Sequence, residues 1–406
     1  MTTTKNNEHN KLNVPNSTDK GNVIRNVPHL RFPEFEGEWE DFLINDVCSE
    51  FKSGKNIKAD SISESGEYPV YGGNGLRGYT SSYNHEGLYV LIGRQGALCG
   101  NVRSVHGKTF ITEHAIAVAG NEISNTSFLH YLFVKMNLGQ YSDQSAQPGL
   151  AVNKLLKIKV VLPSVSEQTK IARFLSLLDE RIATQNKIID KLQSLIKGLE
   201  DNLLDNPLWK KTYLRSFMQF FSTNSLSWEQ LSYEEGEIRN LHYGLIHGFQ
   251  TRGINSASLP MIKNEAVPKQ YISCQVGDVA FADASEDTGE IAKSVEFVDT
   301  IEGNTICGLH TIHGRDIKNR TVVGFKGFAF NSRYFHNQIK RLAQGTKVFS
   351  ITANNLSSCY VYLPDLETQK AIVKLLRSYE EQLIIGRLIL KQYEKQKQYL
   401  LRQMFI

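Results

Sequence analysis

The chain has 406 residues, of which 41% are hydrophobic and 10% aromatic, and its formal net charge at pH 7 is +4. A chain of this length is expected to form two or more domains, and the composition is typical of globular proteins. No apolar run approaches the roughly 18–20 residues that a transmembrane helix requires, and the polar N-terminus lacks the apolar core of a secretory signal. These features argue against a membrane span and a secretory signal.

Two further features of the composition concern cysteine and charge. The five cysteines form no Cys-x-x-Cys pair, which fits a reducing cytoplasm and argues against a disulfide framework. Cys307-Gly-Leu-His310 has ligand-like spacing but no second pair of ligands, so we expect no metal site there. Residues 278–302 carry a net charge of −7 and residues 315–347 a net charge of +7. The chain could therefore present a basic face to phosphates, or the two charged faces could simply be solvated.

In chain order, residues 1–26 form a polar tail that we expect to be disordered. Two globular regions follow, residues 27–165 and residues 207–364, each with short strand-like runs between glycine-rich turns. The predicted strands of the first region are residues 68–71, 88–92, 109–111 and 115–119, and its predicted helix is residues 128–138. Those of the second region are residues 271–273, 279–282, 295–298 and 321–325, and its predicted helix is residues 335–342.

A long helix is predicted after each globular region, over residues 166–206 and residues 365–406. The first begins with a capping box, Ser164-x-x-Glu167, and ends at Asn206-Pro207, because proline cannot continue the helix. At about 1.5 Å per residue, the stretch from Glu167 to Leu204 would be roughly 57 Å long, too long to bury its apolar stripe on a small domain. The two helices should therefore pack against each other along a heptad seam, which skips Gln185 and Gly386. The predicted seam residues are Ile171, Leu175, Leu178, Ile182, Ile189, Leu192, Leu199, Ile372, Leu376, Tyr379, Leu383, Leu390, Tyr393 and Leu400.

The two halves of the chain repeat each other at a distance of 201 residues. This period is too long for a solenoid and indicates two copies of a domain-plus-helix unit. Such a repeat predicts an approximate two-fold axis, with the helices antiparallel. The predicted fold class is α+β: two pseudo-symmetric α/β domains separated by two long helices that form an antiparallel coiled coil. The best-matched pairs are Asn153 and Asn354, Leu155 and Leu356, Pro163 and Pro364, Gln168 and Gln369, and Ile171 and Ile372.

Two local motifs suggest other functions, but neither is complete. Gly73-Asn-Gly75-Leu-Arg-Gly78 matches a dinucleotide-binding loop, yet turn-like polar residues follow where that loop requires a helix. Residues 326–330 match the first five positions of an RNA-binding signature, but the later aromatic position is missing. No catalytic triad, zinc-protease motif or complete S-adenosylmethionine loop is found in the sequence.

Several segments together resemble one known family. They are the opening Pro28-His-Leu-Arg31-Phe-Pro33-Glu-Phe35-Glu-Gly37-Glu-Trp39, its counterpart Trp228-Glu-Gln-Leu231, and the two domain ends. Those ends run from Asn153-Lys-Leu155 to Leu162-Pro163-x-x-x-Glu167-Gln168 and from Asn354-Asn-Leu356 to Leu363-Pro364-x-x-x-x-Gln369, the second preceded by Gln344-Gly345-Thr346. Over roughly residues 27–406 the chain is similar to the specificity subunit of type I restriction-modification systems. Within the helices it departs from its own repeat at Lys397, which replaces the apolar Ile196.

The resemblance implies a function. It implies that residues 27–165 and residues 207–364 are target-recognition domains that each read one half of a bipartite site in double-stranded DNA. The helices would dock two modification (methyltransferase) subunits, and restriction (ATPase/nuclease) subunits would complete the complex. The chain itself would have no catalytic residues and no cofactor, with S-adenosylmethionine, ATP and Mg expected in the partner subunits. The alternatives are a solitary nucleic-acid-modifying enzyme, or a coiled-coil scaffold or RNA-binding protein.

Candidate DNA contacts follow from side-chain chemistry. Arginine suits guanine, and asparagine or glutamine suits adenine. Glycine-flexed loops that carry such groups are the best candidates, with basic residues as phosphate contacts. For any one of them, an ordinary surface or turn role is the alternative. The candidates are Asn74, Arg77, Tyr79, Arg94, Gln95, Gln144, Gln147, His242, Tyr243, His247, Gln250, Arg252, Arg315, Lys318, Arg320 and Lys347.

Overall fold

The computed structural model describes residues 26–143, 148–249, 251–300, 304–345 and 347–406. These residues form two compact units: unit 1 ends at Ile182 and resumes at Gln392, and unit 2 runs from Ala183 to Lys391. Each unit combines one globular domain with a part of each long helix. Residues 1–25 of the expected tail, together with Gln144, Gln147, Gln250 and Thr346, lie outside the described residues. Within the described ranges, no helix is long and apolar enough to cross a membrane.

Domain 1, the globular part of unit 1, consists of eight strands and three short helices within the described residues. The strands are β1 (Glu40–Leu43), β2 (Cys48–Ser53), β3 (Tyr68–Gly72), β4 (Gly75–Thr80), β5 (His85–Gly93), β6 (Val102–Ile111), β7 (Ala115–Gly120) and β8 (Lys159–Leu162). The helices are α1 (Ile44–Val47), α2 (Thr126–Met136) and α3 (Val152–Leu155). The first long helix, α4 (Val165–Leu204), follows.

In the described part of domain 2, the globular part of unit 2, the strands are more numerous than in domain 1, and most are shorter. They are β9 (Lys210–Tyr213), β10 (Met218–Phe221), β11 (Leu231–Ser232), β12 (Arg239–Leu241), β13 (Gly253–Asn255), β14 (Met261–Ile262), β15 (Val279–Ala282), β16 (Ala284–Ser285), β17 (Ser294–Asp299), β18 (Thr305–Cys307), β19 (Thr311–Asp316), β20 (Phe349–Ser350) and β21 (Tyr360–Leu363). The helices are α5 (Tyr243–Gly248), α6 (Phe325–Ala329), α7 (Arg333–Leu342) and α8 (Ala353–Ser358), and the second long helix is α9 (Leu366–Gln403).

The main sheets of the two domains share four strands in the same order. Domain 1 has the order β2-β7-β5-β6-β3-β4, and domain 2 has β10-β19-β15-β17-β13. In each domain the first four strands pair antiparallel with one another, and the fifth strand pairs parallel with the fourth. A separate two-stranded sheet, β1–β8 or β9–β21, leads into each long helix. The structure thus confirms the two related α/β domains that the sequence repeat predicts.

The small sheets correct one sequence correspondence. Glu40 pairs with Leu162 in β1–β8, and Lys210 pairs with Leu363, which lies 201 residues later, in β9–β21. The residue before Glu40 is Trp39 and the residue before Lys210 is Trp209, so Trp209 is the structural counterpart of Trp39. The sequence-based match of Trp228 to Trp39 is therefore wrong: Trp228 lies after β10 and is 46% exposed.

An aromatic cluster anchors the core of unit 1. Trp39 is 2% exposed and packs edge-on against Phe128 of α2 and Phe405 beyond α9, at centroid distances of 6.1 and 6.5 Å. Phe405 and Phe128 stack at 5.1 Å. Burying three rings of this size removes a large apolar area from water, so the end of the chain is held against domain 1.

Equivalent buried glutamines connect each domain to its long helix. Gln168, near the start of α4, donates to the carbonyl groups of Pro163 and Ile123 and accepts from the Asn125 N–H, all within 2.8–2.9 Å. Its repeat partner Gln369, near the start of α9, makes the same three contacts, to Pro364, Arg320 and Val322, at 3.0 Å. A buried amide that satisfies three backbone groups fixes the loop and the helix relative to each other.

The helices pack antiparallel. In unit 2 the Gln185 amide donates to the Gly386 carbonyl at 3.1 Å, while Arg252 lies between Glu200 and Glu380, so rising numbers on α4 meet falling numbers on α9. The two positions that the heptad pattern skips are therefore in contact with each other. A side chain on Gly386 would meet the Gln185 amide nitrogen at 3.1 Å.

The seam residues divide into three groups along the helices. Only the middle group is a helix–helix cluster; the other two join domain cores, because each helix end covers a domain. Ile189, Leu192, Tyr379, Leu383 and Leu390 form the helix–helix cluster. Ile171, Leu175, Leu178, Ile182, Tyr393 and Leu400 join the core of unit 1, and Leu199, Ile372 and Leu376 join the core of domain 2. Lys397, which stands where the first repeat has the apolar Ile196, pairs through its ammonium with Asp179 at 2.5 Å.

Some local predictions are wrong. Residues 271–273 contribute only an isolated bridge at Ser273, and residues 321–325 form a turn that leads into α6. The capping box at α4 is half formed: the Ser164 hydroxyl accepts from the Glu167 N–H, but the Glu167 carboxylate binds Arg31 at 2.7 and 2.8 Å. A bidentate ion pair with a carboxylate that is 1% exposed is the stronger contact, and it ties the opening segment to the helix.

Candidate nucleic-acid interface

In domain 1, several polar side chains lie at the end of the central strand β5. The Arg94 N–H donates to the His114 carbonyl, and the Arg94 carbonyl accepts from Leu150, both at 2.9 Å. The Gln95 amide oxygen lies 3.4 Å from Nδ1 of His114. The backbone of this corner is held on both sides, while the Gln95 and His114 side chains are exposed.

The β3–β4 hairpin brings its tip to the same corner. Asn74 is exposed at the turn. Gly75 has φ +107°, a backbone conformation that favours glycine, and a Cβ there would lie 2.3 Å from Nη1 of Arg103, so a larger residue would be strained and would displace that guanidinium. A Cβ on Gly73 would lie 2.7 Å from the His114 carbonyl oxygen. We define the domain 1 edge as Asn74, Arg94, Gln95, Arg103 and His114.

The glycine motif of this hairpin is not a nucleotide-binding loop. The residues from Gly75 onward form strand β4 (Gly75–Thr80), whereas a dinucleotide site would need the N-terminus of a helix at this position. Arg77 is exposed on β4 and Tyr79 is half-buried on the same strand. The glycines serve a tight turn and its close approach to Arg103.

Domain 2 builds the same corner with different side chains. The Asp283 N–H donates to the His310 carbonyl at 3.1 Å, and the Asp283 carbonyl accepts from Ile351 at 3.0 Å. Ile351 lies 201 residues after Leu150, so Asp283 occupies the position of Arg94, and His310 that of His114. Nδ1 of His310 lies 3.1 Å from the Asp283 carboxylate.

An aromatic group extends this corner in domain 2. The Tyr243 ring lies 5.3 Å from His310 and 6.3 Å from His247, whose Nδ1 lies 3.3 Å from Glu290. Lys347 is exposed in the segment whose strand β20 pairs with β16, next to Asp283. We define the domain 2 edge as Tyr243, His247, Asp283, His310 and Lys347.

His242 has a structural role instead. It is 3% exposed, accepts from the Gly244 N–H at 3.2 Å to cap α5, and packs at 4.5 Å from the Trp228 ring. Burial, with a smaller effect of His310, lowers the pKa of His242. A neutral capping histidine has little of its ring left for a base contact.

Two of the candidate arginines are engaged inside unit 2. Arg315 donates through Nε and Nη2 to the buried Asp278 at 2.9 and 2.7 Å. Arg252 faces Glu200, with 3.8 Å between Nε and Oε1, and its N–H donates to Glu380 at 3.3 Å. Guanidinium groups whose charges are already paired contribute little to phosphate binding, whereas Lys318 and Arg320 are exposed.

The RNA-binding signature is buried. Residues 326–329 lie in α6, and Phe330 follows it. Phe328 and Phe330 are 1% exposed, and the Lys326 ammonium pairs with Glu296 at 2.9 Å. Rings in a core cannot stack on bases, so this motif offers no RNA site. The Asp278–Arg315 and Glu296–Lys326 pairs also show that the acidic and basic segments partly neutralise each other.

Arg103, His114, Asp283 and His310 were not among the sequence candidates. Each histidine directly precedes a strand, β7 or β19, and this shared position was the available signal. The two histidines are not 201 residues apart, because the domains differ in loop length, so the fixed repeat did not align them.

Comparison with known proteins decides the family. The model for the type I restriction modification DNA specificity domain matches residues 36–194 and 262–394, more than two thirds of the chain. The chain belongs to this family. Both matched segments pair a part of one domain with a part of the long helix that follows it.

Individual relatives agree with the family. The chain is 42% identical over 154 residues to the EcoprrI specificity subunit of Escherichia coli, a match that covers 37% of this chain and 38% of that one. The alignment thus spans little more than a third of that relative. The MjaVIII specificity subunit of Methanocaldococcus jannaschii is 25% identical over 399 residues, or 91% of each chain. The crystal structure of the S subunit from M. genitalium superposes with a TM-score of 0.63 at 15% identity, covering 94% of this chain and 99% of that one, which shows a shared fold.

Proposed function

We propose that this chain is the DNA sequence-recognition subunit of a type I restriction-modification complex, in which each domain reads one half of a bipartite site. The observation that carries the proposal is the repeated architecture. The two domains share the order of four strands, the same corner at the end of the central strand, and the same buried glutamine at the start of the following helix. Two such readers match a target made of two half-sites.

The chemistry of the two edges supports different half-sites. The domain 1 edge offers two arginines, an asparagine and a glutamine, which are the side chains that read guanine and adenine in the major groove. The domain 2 edge offers a tyrosine, two histidines, an aspartate and a lysine. At the equivalent positions Arg94 and Asp283 the charge is reversed, so the same base cannot satisfy both: arginine needs acceptors such as those of guanine, and aspartate needs a donor such as the amino group of cytosine.

The outward faces of the helices support docking of modification subunits. In unit 2, Ile188 and Leu195 lie one heptad apart on α4 and are 44% and 43% exposed. On α9, Ile385 and Leu388 are 55% and 56% exposed. Apolar side chains that are this exposed and lie outside the helix–helix cluster are typical of an interaction surface. Two related helices offer two such surfaces, one for each modification subunit.

We also infer that the chain has no catalytic site or cofactor of its own, and that S-adenosylmethionine, ATP and Mg act in the modification and restriction subunits. The sequence supports this inference because it lacks a complete S-adenosylmethionine loop and any recognisable catalytic arrangement. A solitary enzyme and an RNA-binding protein have no comparable support.

A domain exchange tests the half-site assignment. Replacing residues 210–360 with the corresponding region of another family member should change one half of the methylated sequence and leave the other half unchanged. Methylated adenines mapped across a host genome would report the result. A chimera that changes the whole target sequence, or a native target with one uninterrupted core, would contradict the proposal.

A pair of variants on strand β6 tests the domain 1 edge. Arg103 lies at the corner beside Gly75, whereas Lys108 is exposed toward the other end of the same strand. Arg103→Ala should weaken binding or relax specificity at one half-site by about 1–3 kcal/mol if it contacts a base. Lys108→Ala is the matched control and should leave the target unchanged. Equal effects of both variants would place the reading surface elsewhere.

A further inference from the structure

A cluster inside domain 2 brings two cysteines and a histidine together. Cys274, Cys307 and His313 are all buried, and one donor atom from each lies within 4.8 Å of the others. The two sulfur atoms are 3.5 Å apart. Two thiolates that bind one tetrahedral zinc ion at about 2.3 Å each would stand about 3.8 Å apart. The cysteines therefore need only a small adjustment to share an ion.

A carboxylate orients the histidine. Nε2 of His313 lies 2.7 Å from Asp278, which is 1% exposed and also accepts from Arg315 and from the Gln275 N–H. A histidine ligand that bonds a carboxylate through its other nitrogen is the usual arrangement around zinc. The charges balance as well: Arg315 neutralises Asp278, and two thiolates would neutralise a divalent ion.

A cavity of about 400 Å³ lies beside the cluster and is lined in part by Cys307, His313, Asn224 and Tyr271. It gives an ion a path to the thiols and leaves room for water as a fourth ligand. A soft donor set of two sulfurs and one imidazole selects zinc over magnesium or calcium, which prefer oxygen.

We propose that Cys274, Cys307 and His313 bind one zinc ion in domain 2. The ion joins β18 of the four-stranded sheet to β19 of the five-stranded sheet, together with the segment before β15 that carries Cys274. Such a clasp fixes the two sheets of domain 2 relative to each other. The sequence spacing pairs Cys307 with His310 and predicts no metal site there, and the ring of His310 indeed bonds Asp283; the spatial partners of Cys307 are instead Cys274 and His313.

The metal content of the full chain tests the proposal. The protein is produced with its modification subunit if the free chain is insoluble, from cells grown with added zinc, and purified without a metal-affinity tag or chelator. Elemental analysis should find about one zinc per specificity chain. The variants Cys274→Ser and Cys307→Ser should lose it, and Cys359→Ser, which removes an equally buried cysteine outside the cluster, should retain it.

A spectroscopic measurement on the unmodified chain covers the case in which those variants fail to fold. Cobalt exchanged into the site should give a thiolate-to-cobalt charge-transfer band and the visible bands of a tetrahedral ion. Stoichiometric zinc together with these bands supports the site. An unmodified chain that carries no zinc and takes up no cobalt, or one in which Cys274 and Cys307 are found joined as a disulfide, would overturn it.

Discussion

Ionisation of the Glu380 carboxyl group should lower the stability of unit 2 as pH rises. Glu380 projects from α9, is 9% exposed, and accepts from the Arg252 N–H, with Glu200 and Arg377 nearby. Burial raises its pKa to about 7, from the usual 4.5, and Glu200 adds to this, while Arg252 and Arg377 oppose it. We predict that Glu380→Gln, which keeps the shape and an acceptor oxygen but removes the charge, stabilises unit 2 at neutral and higher pH.

The sign and size follow from proton linkage. Between pH 4.5 and about 7 the folded chain holds a proton on Glu380 that the unfolded chain has released, so stability falls as pH rises through this window. At about 1.4 kcal/mol per pKa unit, the full penalty above pH 7 is at most about 3 kcal/mol. At pH 5 it is below about 1 kcal/mol. The advantage of Glu380→Gln should therefore be small at pH 5 and largest near pH 8.

Thermal unfolding of the two proteins at pH 5 and pH 8 measures this difference. For a unit of this size, 1 kcal/mol shifts the midpoint by about 2–4 °C, so the variant should gain several degrees at pH 8. Asp179, the residue that occupies the same position in the first repeat, is the matched control. It pairs with Lys397 at 2.5 Å and accepts from Tyr131 at 2.9 Å, so Asp179→Asn should lose about 1 kcal/mol. A Glu380→Gln advantage that is equal at both pH values, or a loss at pH 8, would refute the argument.

Three further predictions address the helices and the chemistry. Gln168→Leu and Gln369→Leu should each cost about 2–4 kcal/mol in chemical denaturation, because each leaves three backbone groups unpaired, whereas Leu at the exposed Gln396 should be neutral. Ile189→Asp places a charge in the helix–helix cluster and should lower the melting midpoint. Ile188→Asp, on the exposed face, should fold normally but fail to co-purify with the modification subunit. Equal melting midpoints of the two variants would mean that the cluster is not packed. The purified chain with DNA and labelled S-adenosylmethionine should transfer no methyl groups until a modification subunit is added, and transfer by the chain alone would disprove this.

The sequence by itself determined the long-range plan. Apolar residues at heptad spacing predict α4 and α9, because a helix must bury a stripe with that period. The 201-residue repeat predicts two related domains, and Gln168 and Gln369, matched by sequence alone, make the same three hydrogen bonds. Both patterns are regular spacings along the chain, so they can be read from a single sequence.

Tertiary structure alone decided which polar side chains are available. In the sequence Arg252 looks like a base contact and Arg315 like a phosphate contact. In the structure Arg252 faces the half-buried Glu200, and Arg315 pairs with the buried Asp278. Sequence distance likewise hides the corner that Arg94 shares with His114, and the cluster in which Cys274 meets Cys307 across 33 residues. The role of a charged group or a thiol depends on its neighbours in space, and pairing between strands that are distant in sequence determines which neighbours it has.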